Sequence, residues 1–186
     1  AVKVSEAQPG ATALVVGAGP IGIGTYFALR ANGIDKVIVS EPSAERRAAI
    51  QAVGATHVVD PLAEDLAAVI AEVAGPQGLD FAYDAAGNGP AFVQAVALLG
   101  ARGLMTVVAL HEKAVEFNPT LLVMGERRIC ATLGYLQEEY DEVIAAMAEG
   151  KYDFTGWVET TDLAGVADAM ERLRAGKAMK LPVVAV

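Results

Sequence analysis

A doubly wound α/β fold, with a parallel six-stranded sheet and helices on both faces, is the class this sequence predicts. Three observations carry the prediction. Short continuous apolar runs recur between longer segments of helical periodicity. Most of the runs lack polar–apolar alternation, so both faces of the sheet must be covered. A glycine-rich turn, VVGAGPIGIG at residues 15–24, joins the first run to the first helical segment. Right-handed crossovers leave few topologies for such a chain.

The elements follow in order. Residues 11–16 (ATALVV) form a buried strand that ends at glycine. A helix over 20–31 has proline in its first turn and Asn32-Gly33 as its stop. The second strand is 36–40 (KVIVS). Ser43 caps a helix that runs to Val53 and stops at Gly54. A short strand at 57–59 is closed by Asp60-Pro61, and residues 62–74 carry a helical apolar stripe of Leu66, Val69, Ile70 and Val73. Residues 79–83 are the fourth strand, 89–99 a helix and 103–110 (GLMTVVAL) the fifth strand. Beyond these the alternation loosens: a strand at 127–133, a helix at 138–148, an extended piece at 154–160, a helix at 163–175 and a closing strand at 181–186.

Composition bounds the function. The chain has 186 residues, 54% apolar and 20% charged, which suits one well-packed domain over 1–186. Its formal net charge of −9 disfavours nucleic acid and anionic membrane surfaces, which need clustered Lys and Arg. Cys130 is the single cysteine, which excludes an internal disulfide and suits a reducing cytoplasm. No charge occurs from Ala7 to Leu29, but four glycines and two prolines between Pro9 and Gly22 divide that run into strand, turn and helix. It is not read as a membrane span, and no signal peptide is expected. The chain starts on alanine and is read as a piece of a longer protein.

The glycine turn has the dinucleotide spacing Gly17-x-Gly19-x-x-Gly22, directly after a strand and opening a helix. Gly17 permits the tight turn, Gly19 admits a pyrophosphate to the backbone, and Gly22 allows close packing of the helix. The helix start offers unpaired N–H groups to the phosphates. Glycines also mark ordinary tight turns, and Glu41 decides against that reading. It ends the second strand about 20 residues on, where an acid would accept from the adenosine ribose hydroxyls. A carboxylate there repels a 2′-phosphate, so NAD is expected over NADP. Arg46 and Arg47 are the complication, since nearby basic residues are how NADP is tolerated; otherwise they are a solvated helix face. Three strand-end loops complete the expected pocket: Ala85-Ala86-Gly87, Leu110-His111 and Leu133-Gly134.

Groups to carry out chemistry on a bound dinucleotide are missing from the sequence. No tyrosine has lysine four residues on, and one cysteine with two distant histidines does not make a zinc site. His57 reads as structural. His111 lies near the expected nicotinamide end, where an active-site role and an ordinary loop role both stay open. Cys130 reads as a small core residue. The acidic residues read mostly as solvated helix faces.

The stretch LVVGAGPIGIGTYFALRANGIDKVIVSEPSAERRAAIQAVGATHVVDP resembles the Rossmann cofactor domain of the zinc-containing medium-chain alcohol dehydrogenases, in the branch of butanediol, sorbitol and threonine dehydrogenases. The later pieces LDFAYDAAGNGPAFVQAVALLGARGLMTVVAL, ERRICATLGY and KLPVVAV continue the resemblance over nearly the whole chain. It implies that Gly17, Gly19 and Gly22 form the phosphate turn, with Pro20 and Ile21 at the helix start. Glu41 falls on the ribose-binding acid, often Asp, and Arg46 on a basic position near the adenosine ribose. Leu110 and Leu133 fall on nicotinamide contacts, and Lys180 on a basic position near the pyrophosphate. Zinc and the proton relay would come from a preceding catalytic domain that this chain lacks. The family also pairs two subunits through the edge strand, here 127–133, so a homo-oligomer is expected.

The leading reading is therefore the NAD-binding half of a zinc-dependent dehydrogenase acting on a small alcohol or polyol. This half alone would bind cofactor without catalysis. A stand-alone NAD-sensing regulatory module and an S-adenosylmethionine-dependent methyltransferase are the alternatives.

Overall fold

The structure is a computed structural model that describes residues 1–175. The expected closing strand over 181–186 and Lys180 lie outside the described residues. By its internal contacts the chain falls into two compact units, Ala1–Tyr152 and Asp153–Val186.

The first unit holds six parallel strands: β1 (Thr12–Val16), β2 (Lys36–Ser40), β3 (His57–Val59), β4 (Leu79–Asp84), β5 (Leu99–Val107) and β6 (Arg128–Ala131). Their order across the sheet is β3-β2-β1-β4-β5-β6. This is the doubly wound arrangement, reversing direction between β1 and β4. The helices are α1 (Val2–Ser5), α2 (Pro20–Ala31), α3 (Ala44–Ala52), α4 (Leu66–Ala74), α5 (Gly89–Leu98), α6 (Thr120–Val123) and α7 (Gln137–Ala148).

Every residue of β1 is buried, because helices cover both sides of the sheet. Successive side chains alternate between faces. Leu14, Val16 and Ile38 pack with Leu66 and Ile70 of α4 and with Phe92, Ala95 and Val96 of α5. On the face of Val15, Gly22 of α2 lies beside that side chain. Replacing a fully buried side chain such as Leu14 or Ile38 by alanine costs about 2–5 kcal/mol.

Several boundaries differ from expectation, each for a local reason. The fourth helix starts at Leu66 rather than residue 62, because Asp65 caps it by accepting from the N–H groups of Ala67 and Ala68. Residues 61–64 instead form a turn in which the Asp60 carboxylate accepts from Leu62 N–H. The helix expected over 89–99 ends at Leu98, and β5 begins directly at Leu99. That junction needs glycine: a Cβ on Gly100 would lie 2.1 Å from the Gln77 carbonyl oxygen. β5 ends at Val107 rather than 110, because the N–H groups of Val108 and Ala109 both turn to the Asp84 carbonyl. β6 stops at Ala131, short of 133, just before a left-handed Gly134 with φ +71°.

The short α1 was not expected. Its Ser5 hydroxyl donates to the Val2 carbonyl and lies 2.6 Å from the buried Tyr83 hydroxyl. α6 was not expected either; its last turn is followed by Arg127, whose guanidinium donates to the carbonyls of Leu99 and Leu121.

In the second unit the extended piece expected over 154–160 is a turn at 155–157 with isolated bridges at Val158 and Thr161. The Asp153 carboxylate accepts from Thr155 N–H, and the Asp153 carbonyl accepts from the Trp157 indole, which bends this segment. A helix, α8 (Val166–Arg174), closes the described part. Among the described residues no helix is long and apolar enough to cross a membrane.

Candidate cofactor site

The carboxyl ends of the strands surround a cleft of about 800 Å³ lined by Gly17, Gly19, Glu41, Arg46, Ala86 and Asn88, among others. It lies at the reversal point between β1 and β4, where such sheets bind ligands.

Gly17 leaves β1 at φ +95°, a left-handed conformation that side chains rarely adopt, and its N–H donates to the Ser40 carbonyl. A Cβ on Gly22 would lie 1.9 Å from the Gly17 carbonyl oxygen. The first turn of α2 thus closes onto the glycine turn itself. A Cβ on Gly19 would meet nothing nearer than an Arg46 guanidinium nitrogen at 4.0 Å, so the space beside Gly19 is open. No side chain caps α2, and Pro20 holds its first turn. The leading N–H groups of that turn have no acceptor within the helix. An open backbone cradle at an uncapped helix start fits a pyrophosphate.

Glu41 follows β2 and is 3% exposed. One carboxylate oxygen accepts from Ala18 N–H at 2.7 Å and the other from Ser43 N–H at 2.8 Å. The side chain therefore ties the glycine turn to the start of α3. An ionised carboxylate has about four acceptor positions, so two remain for ribose hydroxyls. Arg46 and Arg47, grouped together in the sequence, separate here. Arg47 is not a solvated residue: its guanidinium donates to the carbonyls of Glu41 and Pro42 and pairs with Asp60 at 2.9 Å. Arg46 lines the cleft next to Gly19.

On the other side of the turn, a second cavity of about 480 Å³ is lined by Gly87, Asn88, Leu110, His111 and Lys113, among others. Ala86, Asn88 and Pro90 line both cavities, so the two adjoin. Leu110 is 84% exposed and Leu133 is 89% exposed, while Ile21 is 55% exposed at the helix start. The site residues expected from the sequence thus divide. Gly17, Gly19, Gly22, Glu41, Arg46 and Ala86 come together around the clefts, whereas Leu133 lines neither cavity.

One residue at this edge was missed. Asp84, at the end of β4, is fully buried and is no part of a solvated helix face. One of its carboxylate oxygens accepts from Ala86 and Gly87 N–H, and the other is 2.6 Å from His111 Nε2. The sequence held a signal for it: an acid closing the apolar run LDFAYD just before three small residues. Cys130, in β6, is half-buried and lies 3.4 Å from the Thr106 hydroxyl. Among the described residues no three His, Cys, Asp or Glu side chains are grouped to hold a metal ion.

Comparisons with known proteins agree with this geometry. The sequence model of the zinc-binding dehydrogenase family matches residues 20–149. The chain is 35% identical over 161 residues to a probable diacetyl reductase, (R)-acetoin forming, of Saccharomyces cerevisiae, covering 82% of this chain and 38% of that protein. It superposes on the crystal structure of 2R,3R-butanediol dehydrogenase from Bacillus subtilis with a TM-score of 0.89 and 29% identity, over 98% of this chain and 53% of that one. A zinc-binding dehydrogenase from Sinorhizobium meliloti, solved bound to NADP, gives a TM-score of 0.87 at 26% identity, over 98% and 55% of the two chains. The chain thus spans about half the length of these relatives, or less. With its sheet order, its glycine turn and the match over residues 20–149, the chain belongs to the zinc-binding dehydrogenase family.

Proposed function

We propose that residues 1–186 are the NAD-binding domain of a zinc-dependent dehydrogenase acting on a small alcohol or polyol. The observation that carries this reading is the pairing of the open Gly17–Gly22 turn with the Glu41 carboxylate across from it. The pyrophosphate lies on the backbone at Gly19, Pro20, Ile21 and Gly22. The adenosine ribose lies against Glu41, with Arg46 alongside. The nicotinamide half lies across Ala86 and Leu110, with Leu133 approaching from the next loop, and Lys180 serves the pyrophosphate. Bound NAD supplies the hydride acceptor for alcohol oxidation. This chain's residues hold and orient it, while the zinc ligands and the proton relay come from outside these residues.

NAD is preferred over NADP because the Glu41 carboxylate would meet a 2′-phosphate with like charge. Arg46 opposes that preference, and Arg47 does not, since its guanidinium is already engaged by two carbonyls and Asp60. β6 lies at the sheet edge and pairs with its counterpart in a homo-oligomer. The protein acts in the cytoplasm, where a lone thiol such as Cys130 stays reduced.

Calorimetric titration of the chain with NAD⁺, NADP⁺ and S-adenosylmethionine tests the reading. NAD⁺ should bind at least about tenfold more tightly than NADP⁺, a difference of about 1.4 kcal/mol. S-adenosylmethionine should give no heat. Binding of S-adenosylmethionine alone would replace the dehydrogenase reading with a methyltransferase one.

A further inference from the structure

Asp84 stands at the carboxyl edge of the sheet. It is fully buried and takes five donors, two on its backbone carbonyl and three on its carboxylate. Its backbone carbonyl accepts from Val108 at 3.0 Å and Ala109 at 2.9 Å. Its Oδ1 accepts from Ala86 at 3.1 Å and Gly87 at 3.0 Å, and its Oδ2 takes His111 Nε2 at 2.6 Å. One carboxylate therefore joins the loop after β4 to the loop after β5.

His111 completes the joint. Its ring meets Phe92 of α5 edge-on at 5.8 Å, and Phe92 meets Phe117 in the same way at 6.1 Å. The His111 side chain is 17% exposed. The two loops also touch backbone to backbone: Gly87 has φ +64°, and a Cβ there would lie 2.7 Å from the Leu110 carbonyl oxygen. Because a carboxylate only accepts, His111 donates from Nε2, which leaves Nδ1 as the acceptor in the neutral ring.

The sheet order says which half of a dinucleotide reaches these loops. With the pyrophosphate on the β1 turn and the adenosine ribose at Glu41, the other nucleoside must extend over β4 and β5. We propose that the Asp84–His111 pair is a built joint that positions the nicotinamide half of the cofactor, with both residues acting as positioning residues. The pair sets the separation and orientation of the Ala86–Gly87 and Leu110 backbones, against which the nicotinamide nucleoside rests. This proposal rests on the NAD reading above.

The test compares NADH with ADP-ribose, which keeps the adenosine and both phosphates but lacks the nicotinamide ring. The chain should bind NADH about tenfold more tightly than ADP-ribose, the increment expected of one well-placed polar contact. His111→Ala should erase that increment and leave the ADP-ribose affinity unchanged. His111→Gln, whose amide can still donate to Asp84, should restore most of it, and thermal melts of both variants check that each is folded. The sequence has two histidines, so the imidazole nitrogen signals of His111 can be followed directly by NMR. They should show the Nε2–H form and shift with NADH but not with ADP-ribose. Equal loss of both ligands in folded His111→Ala, or no change in either, overturns the proposal. So do equal affinities of the unsubstituted chain for the two ligands. If the unsubstituted chain binds neither, the NAD reading fails, and the positioning role fails with it.

Discussion

On the β1–β3 side of the sheet Gly17, Gly22 and Glu41 of the candidate site are buried; on the β4–β6 side Leu110 and Leu133 stand outside the protein. Glu41 is 3% exposed and accepts from two backbone N–H groups, and the glycine turn beside it is locked by Gly22 against Gly17. Across the turn Asp84 plays the matching part, yet Leu110 and Leu133 on the neighbouring loops are 84% and 89% exposed. The first half of the site is finished by this chain's own contacts. The second is anchored at its root by Asp84 and His111 but bare at its tips.

The largest effect that could break this comparison is at Gly22. Gly22→Ala puts a Cβ 1.9 Å from a backbone oxygen that no side-chain rotation can clear. The forced shift should cost about 1–3 kcal/mol, lowering the melting temperature by roughly 3–10 °C. NAD⁺ affinity should fall with it, because the displaced atoms are those proposed to hold the pyrophosphate. Calorimetric titration and a thermal melt read the two effects separately. An unchanged melt would mean that the turn is not locked.

Glu41→Gln comes next. The substitution removes the charge and leaves one acceptor oxygen for two backbone donors, Ala18 and Ser43. NAD⁺ affinity should drop about 10- to 100-fold, consistent with loss of hydrogen bonds to a charged group. The preference for NAD⁺ over NADP⁺ should narrow at the same time. A preference that stays fixed would mean that the Glu41 charge does not set it.

A third prediction concerns β4. Burial pushes the Tyr83 hydroxyl up to about 12, against an ordinary value of 10.0, and the Ser5 hydroxyl beside it opposes the shift. The unfolded chain ionises this tyrosine near pH 10 while the folded chain does not until about 12. Stability from this group is therefore whole below pH 10 and is lost as pH rises toward 12, by an amount on the order of 2 kcal/mol. Urea melts at pH 9 and 11 check it. Ser5→Ala at neutral pH should cost about 1 kcal/mol, since it removes one partner of a buried hydroxyl.

The smallest effect is expected at the exposed tips. Leu110→Ser and Leu133→Ser should each leave stability within about 0.5 kcal/mol of the unsubstituted chain. A large loss of stability in either would mean that the second half of the site is as self-contained as the first.

Much of this was legible before the structure. Strand-helix alternation and the glycine turn specify the doubly wound sheet, and the Gly17–Gly22 spacing with Glu41 locates the cleft. Boundaries failed where side chains or glycine compete for the backbone, as Asp65 does at the start of α4 and Gly100 at the entry to β5. The roles of Arg47 and Asp84 are illegible in the sequence for a related reason. Most of their partners are backbone carbonyls and N–H groups, and periodicity carries no information about which way a turn presents them. Glu41 was readable because its spacing from the glycines is fixed by one strand and one helix. The pairing of Asp84 with His111 depends on two loops that meet only in the folded sheet.

The most direct test of the central claim is a backbone amide NMR titration of the chain with NAD⁺. The account predicts that the largest shifts fall on residues 17–22, with a second group at 41–43, and that both titrate with one dissociation constant. Saturable binding that leaves the amides of Ala18, Gly19, Ile21 and Gly22 unmoved would contradict it.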